Sequence, residues 1–224
     1  MTLRQIGGLA GLTCAATYLF GFALLVTLLA PLGYGTGNID AAAVVRFTQA
    51  NLGIIVTWNT VIYIVNALAL TVLVVALAAR LRTASPDWSL VTLAFGLVWC
   101  ALVLGAGMIA NVASERAVAI AQMDFESAVE TWKVLHAVEL GLGGGNEIAG
   151  GVWILCISLA AVWHRVFGKL VIGLGLLTGL GGLLTILPPL GDITGAVFGL
   201  GAIAWFIAVG VALLRRPDPA PSLA

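Results

Sequence analysis

Residues Leu52–Ala79 read LGIIVTWNTVIYIVNALALTVLVVALAA, twenty-eight positions without one Asp, Glu, Lys or Arg. The charge-free stretch is wider still, from Arg46 to Arg80. A helix needs about 20 apolar residues to cross a hydrocarbon core, so this run can span a bilayer. Barrel strands are short and alternate with period two, which this run does not do. The same reading extends to Leu9–Ala30, Trp88–Ala113, Leu170–Leu187 and Ile193–Leu214. Val134–Trp163 is the sixth candidate, interrupted by His136, Glu139, Glu147 and the run Gly141-Leu-Gly-Gly-Gly-Asn146. It counts as a span because Ile148–Trp163 is apolar, and a loop at that depth would leave backbone groups unpaired in lipid. The expected fold is all-α: a polytopic, six-transmembrane-helix bundle forming a single integral membrane domain over residues 1–224.

Composition points the same way. The chain is 61% hydrophobic and only 9% charged, against roughly 25% charged in an ordinary soluble domain. Ten basic and ten acidic residues balance, which leaves no basic excess for nucleic acid; the partner implied is the lipid bilayer. Cys14, Cys100 and Cys156 lie scattered in apolar runs without CxxC spacing, so neither a disulfide framework nor a thiolate metal site is suggested.

Basic residues set the orientation. One set of connections holds Arg4, Arg80, Arg82, Arg165, Lys169, Arg215 and Arg216; the other holds Arg46, Arg116 and Lys133. The asymmetry predicts that both termini are cytoplasmic. The outer connections are acidic: Asp40, Glu115, Asp124, Glu126, Glu130 and Asp192. Trp88 and Trp163 are placed at the inner interface, Tyr34 and Trp132 at the outer one. Asn38–Asn51 and Asp124–Lys133 carry N-cap candidates and helical spacing, Ala43, Phe47 and Ala50 in one, Phe125, Ala128, Val129 and Trp132 in the other. Both read as short helices lying in the outer interface, either tucking loops onto the bilayer or lidding a cavity. Glycines at four-residue spacing (Gly7 and Gly11; Gly175 and Gly179; Gly191, Gly195 and Gly199) predict close helix packing within the chain.

The polar residues inside the spans carry what chemistry there is. His136, Glu139, Gly143, Asn146, Glu147 and Gly150 form one stripe on the fourth span, with Asn146 and Glu147 counted near the midplane. A carboxylate at that depth must be neutral, paired or facing a wet cavity. Asn59, Tyr63 and Asn66 share a face of the second span; Cys100, Met108, Asn111 and Glu115 share one of the third. Turned toward each other, these faces make an outward-opening cleft. Glu115, His136, Glu139 and Asn111 would form its mouth, and Asn66, Asn146 and Glu147 its floor. Asn66 or Asn146 is the expected hydrogen-bond partner of a neutral Glu147. His136 and Glu139, at i and i+3, can share a metal, but with Glu115 the ligand set is thin, and no metal site is assigned. His164, the second histidine, lies at the opposite face, which disfavours a bis-histidine haem.

The segment Gly-Gly-Asn-Glu-Ile-Ala-Gly-Gly-Val-Trp (Gly144–Trp153), followed by a short basic loop and a Gly-rich fifth span, resembles the bacterial membrane proteins grouped as "domain of unknown function 4386". The resemblance covers nearly the whole chain. It implies a six-helix protein of the bacterial cytoplasmic (inner) membrane, and no reaction, substrate, cofactor or catalytic residue. Three functions fit the residues. The first is binding of a small lipophilic molecule in an outward-facing polar cavity centred on Glu147. The second is an intramembrane enzyme on an isoprenoid or quinone-like substrate, with Glu147 as catalytic general acid/base. The third is a small proton- or ion-coupled transporter.

Overall fold

The computed structural model describes residues 1–34, 38–144 and 147–215; the side chains of Gly144, Pro188 and Asp192 are left aside. The helices are α1 (Leu3–Leu24), α2 (Ala41–Asn59), α3 (Asn66–Arg82), α4 (Pro86–Ala121), α5 (Phe125–Glu139), α6 (Ile148–His164), α7 (Lys169–Leu184) and α8 (Gly191–Arg215). There is no strand among the described residues. Three π-helical stretches interrupt the rods: Leu25–Leu29 after α1, Thr60–Val65 between α2 and α3, and Leu140–Gly144 after α5. The chain thus folds as six rods. Five of them, Leu3–Leu32, Ala41–Arg82, Pro86–Ala121, Phe125–His164 and Ile193–Arg215, are long and apolar enough to cross a membrane. The remaining rod, α7, is equally apolar but shorter.

Side by side, the rods close a ring in the order α1, α3, α4, α6, α7, α8 and back to α1. One end of the ring carries Arg4, Arg80, Arg165 and Arg215 and is called the basic end; the other, with Asp40, Glu115 and Asp124, is the acidic end. Lipid tails are as apolar as Leu, so close packing rather than water exclusion must hold such a ring together. Glycine makes it possible at two seams. A Cβ added at Gly11 would lie 3.2 Å from Gly210 Cα, joining α1 to α8. One added at Gly179 would lie 2.9 Å from the Gly151 carbonyl, joining α7 to α6. The predicted packing of Gly7, Gly11, Gly175 and Gly179 is therefore found. Gly191 and Gly195 are different: a Cβ there would meet nothing within 4 Å. That stripe packs against no helix until Gly199, which faces the Phe22 ring.

The middle of the ring is filled by aromatic rings. Trp99 lies 5.5 Å from Trp153 and parallel to Phe206; Trp153 meets Trp205 edge-on at 5.5 Å. At the basic end, arginines satisfy carbonyls of a helix end and of a loop that have no intrahelical donor. Arg4 donates to the Leu213 and Leu214 carbonyls, and Arg80 to that of Val166 while covering the Phe167 ring.

The acidic end departs from expectation. Asp40 and Asp124 do cap helices, accepting from Ala43 N and Ser127 N. Hydrogen bonds from Ser127 also hold the Asp124 carboxyl below its usual range. The helices they start are not separate from the spans: α2 bends at Asn51 (φ −136°, ψ 34°) and continues into the second rod, and α5 continues into the fourth. With the end of α4 they form a lobe around Val44, Val45, Ala113, Ala117, Ala128 and Trp132. α4 alone is 36 residues, about 54 Å at 1.5 Å per residue, so it projects well beyond a hydrocarbon core of about 30 Å.

Trp88 and Trp163 pack together at 5.1 Å near the basic end. From Trp163 to Glu147 is about 24 Å of helix, so counted from that pair Glu147 lies nearer the acidic end than the midplane expected for it.

Candidate functional site

Where the lobe meets the ring, the rods part around a cavity of about 680 Å³. All three π-helical stretches contribute to its wall, through Leu25, through Ile62 and Tyr63, and through Leu140 and Gly143. A π turn widens the helix and shifts the register of everything after it, and such turns are frequent at functional sites. Here each occurs where a rod leaves the tight ring to go around open space. The fourth rod breaks outright: Gly143 adopts φ +138°, a conformation that only glycine takes without strain, and Glu147 stands just before α6 begins.

The wall beside Glu147 is thin. α7 ends at Leu184, level with Glu147, whose backbone N–H donates to Thr185 Oγ1 at 3.4 Å. No α7 side chain lines the cavity. Toward the acidic end, the fourth rod offers Gly143 and the sixth offers Gly191 and Gly195, all facing open space.

Two carboxylates face into this cavity in different states. Glu139 is buried and paired: Tyr63 Oη donates to Oε1 at 2.5 Å, and His136 Nδ1 lies 2.6 Å from Oε2. His136 is itself stacked on Trp132 at 4.5 Å, with Tyr34 against its edge. Tyr34 also meets the Trp58 ring, and Trp58 Nε1 donates to the Gly21 carbonyl, tying the aromatic cluster to α1. Glu147, half-buried, projects into the cavity, and its carboxyl has no hydrogen-bond partner among the described residues. The floor is formed by Trp99 and Tyr18. None of the described lining residues is Lys or Arg.

Of the residues expected in the cleft, Asn59, Tyr63, His136, Glu139 and Glu147 do line it. Asn66 does not. It is buried toward α1, where Nδ2 donates to Thr17 Oγ1 at 2.7 Å, so its partner is Thr17 and not Glu147. Asn111 links α4 to the second rod by donating to Thr60 Oγ1 at 3.1 Å and lies outside the lining. Glu115 is exposed on the lobe surface and closes no mouth. Asn146 lies outside the described residues. α4 does reach the cavity at this level, but through Ala110, Ala113 and Ser114, so Asn111 and Glu115 miss it by facing another side of the helix. With Glu115 apart and Glu139 engaged by Tyr63, no three potential metal ligands converge among the described residues. The aromatic lining, Tyr34, Trp58, Trp99 and Trp132 above all, was missed. Trp132 precedes His136 by four residues, on the same stripe, and that spacing was the available signal.

Fold and site together define a helical membrane-type bundle with an aromatic, acid-lined cavity at one end. Comparison of the chain with protein-family models, curated proteins and solved structures finds no match.

Proposed function

We propose that this protein binds a small lipophilic molecule in the cavity between the ring and the lobe. One observation carries the reading: a cavity of about 680 Å³ walled by aromatic rings, with a few polar groups converging on it. That is the composition of small-molecule sites, in which apolar walls supply affinity and a few polar groups supply orientation. The resemblance to six-span proteins of unknown function brings no activity with it, so the reading rests on the cavity. Mass spectrometry of the protein purified in mild detergent tests it. A small molecule should copurify, and should be lost when Gly195→Trp and Trp58→Ala are introduced to fill and to strip the wall. If nothing is retained, and no lipophilic compound quenches the cavity tryptophans saturably, the reading is wrong.

The acidic end is proposed to face away from the cytoplasm of a bacterial inner membrane, with both termini inside, because basic residues concentrate at the other end. In a cysteine-free background, a cysteine at Met123, which is 90% exposed, should react with an impermeant thiol reagent in intact cells. One at Ala84 should not. The reverse pattern would turn the cavity toward the cytoplasm.

Ion-coupled transport is the second reading, and the broken fourth rod favours it. Broken helices with a charged group at the break are how many transporters place a coupling site. It predicts that Glu147→Gln keeps ligand binding by the cavity walls but abolishes proton-driven accumulation in vesicles.

A further inference from the structure

The cavity wall is unbalanced in charge. Glu139 and Glu147 both face it, and none of the described lining residues is Lys or Arg. The three cationic groups of the lobe lie outside the cavity lining: Arg46 is over the Phe125 ring at 5.0 Å, Lys133 pairs with Glu130 at 2.9 Å, and Arg116 is exposed on the surface. Among the described lining residues His136 is the one basic group, and it is held by Glu139 and stacked on Trp132. Glu147 is left facing the cavity with no described group to answer it.

The rings complete the case. Tyr34, Trp58 and Trp132 surround the acidic-end half, and Trp99 lies below. Aromatic faces carry negative electrostatic potential and attract cations within about 6 Å, most strongly where water is excluded. A carboxylate in an apolar wall is costly unless it is protonated, hydrated or given a counter-charge, and a bound cation is the ligand that supplies the last of these. An anion here would face two carboxyl groups with no lysine or arginine among the described lining residues to offset them; a neutral lipophile would bring no counter-charge to Glu147. We infer that the ligand of the cavity is a lipophilic organic cation, an amine or onium group carried on an apolar body, with its charge beside Glu147 and its apolar part against the tryptophans. This inference rests on the lipophile-binding reading above and narrows it.

Three probes of similar shape separate the possibilities: tetraphenylphosphonium (cation), tetraphenylborate (anion) and triphenylphosphine oxide (neutral). Each is titrated into the purified, detergent-solubilised full chain, with tryptophan fluorescence and equilibrium dialysis as readouts. The phosphonium should bind saturably, one per chain, at least tenfold more tightly than the oxide, while the borate shows only partition into micelles. Glu147→Gln should weaken the phosphonium at least tenfold and leave the oxide unchanged; Trp58→Leu should weaken both. Thermal unfolding of each variant confirms that the loss is not misfolding. Equal affinity for cation and neutral probe, or an unaltered phosphonium affinity in Glu147→Gln, overturns the cation inference while leaving lipophile binding standing. Saturable borate binding overturns it too. If none of the three binds, both this inference and the lipophile reading fall.

Discussion

Glu139, Glu147 and Asn66 are three polar residues within the spans with three different duties. Glu139 holds Tyr63 and His136 in place, Asn66 ties the second rod to the first, and the Glu147 carboxyl is engaged by no described side chain. Their replacements should therefore separate by stability. Glu139→Leu strands the Tyr63 hydroxyl inside the protein, at a cost of about 1–3 kcal/mol. Asn66→Leu removes one interhelical hydrogen bond, for which lipid-embedded proteins show roughly 0.6–1.7 kcal/mol. Glu147→Leu and Glu147→Gln break no bond to a described residue and should leave the unfolding midpoint close to that of the wild type. Denaturation in mixed micelles, followed by circular dichroism, gives this order directly. A Glu147→Leu variant less stable than Asn66→Leu would mean that Glu147 braces the bundle and is not available to a ligand.

Among elements, the glycine-bearing helices show how one spacing serves two purposes. In α7, Gly179 faces Leu155 and the Gly151 carbonyl so closely that a methyl group would sit 2.5 Å from Leu155 Cγ. In α8, Gly195 faces the cavity with free space around it. Gly179→Ala should force α6 and α7 apart and cost about 1–3 kcal/mol through overpacking. Gly195→Ala meets no neighbour and should be neutral, or gain up to about 1 kcal/mol from helix propensity. Thermal melts of the two variants in one detergent compare them. Equal losses would show that the sixth rod packs against something at Gly195 and that the cavity wall is drawn wrongly there. The π-helical stretches belong to the same scale. Each lets a long rod change direction around the cavity without exposing its backbone to lipid, where unpaired groups are costly.

At the level of the whole molecule, two environments meet at the cavity. The ring is held by packing in lipid, whereas the lobe buries a small cluster in water, where apolar burial is itself favourable. A cluster of six buried residues is a slight core, so the lobe should open more readily than the ring. In hydrogen–deuterium exchange on protein in nanodiscs, amides of 41–50 and 125–135 should exchange well before those of 70–81. Comparable protection in the two regions would place the lobe within the bilayer and undo the depth assigned to Glu147. A filled cavity should slow the exchange of the lobe selectively, since Tyr34, Trp58, Trp132 and His136 all belong to the shared wall.

Sequence alone decided the class of this protein, because a hydrocarbon solvent imposes a length and an apolarity that no short-range rearrangement can disguise. Leu52–Ala79 shows both, and the helical bundle follows. It also decided that His136 and Glu139 share a face, because residues three apart do so in any helix; the expected continuation of that stripe to Glu147 is interrupted at Gly143, and Glu147 reaches the same cavity only across that break. Tertiary structure decided what those faces meet. Periodicity says that Asn66 has a face but not that Thr17 lies opposite it. Runs without charge bound a span but do not reveal that α2, α4 and α5 pack together as a lobe at the acidic end. Which side of α4 meets the cavity left Glu115 outside it, and the lobe brought Trp132 to the wall. Which side chains converge is set by how far each rod runs and where it bends, and these depend on packing between segments distant in the chain.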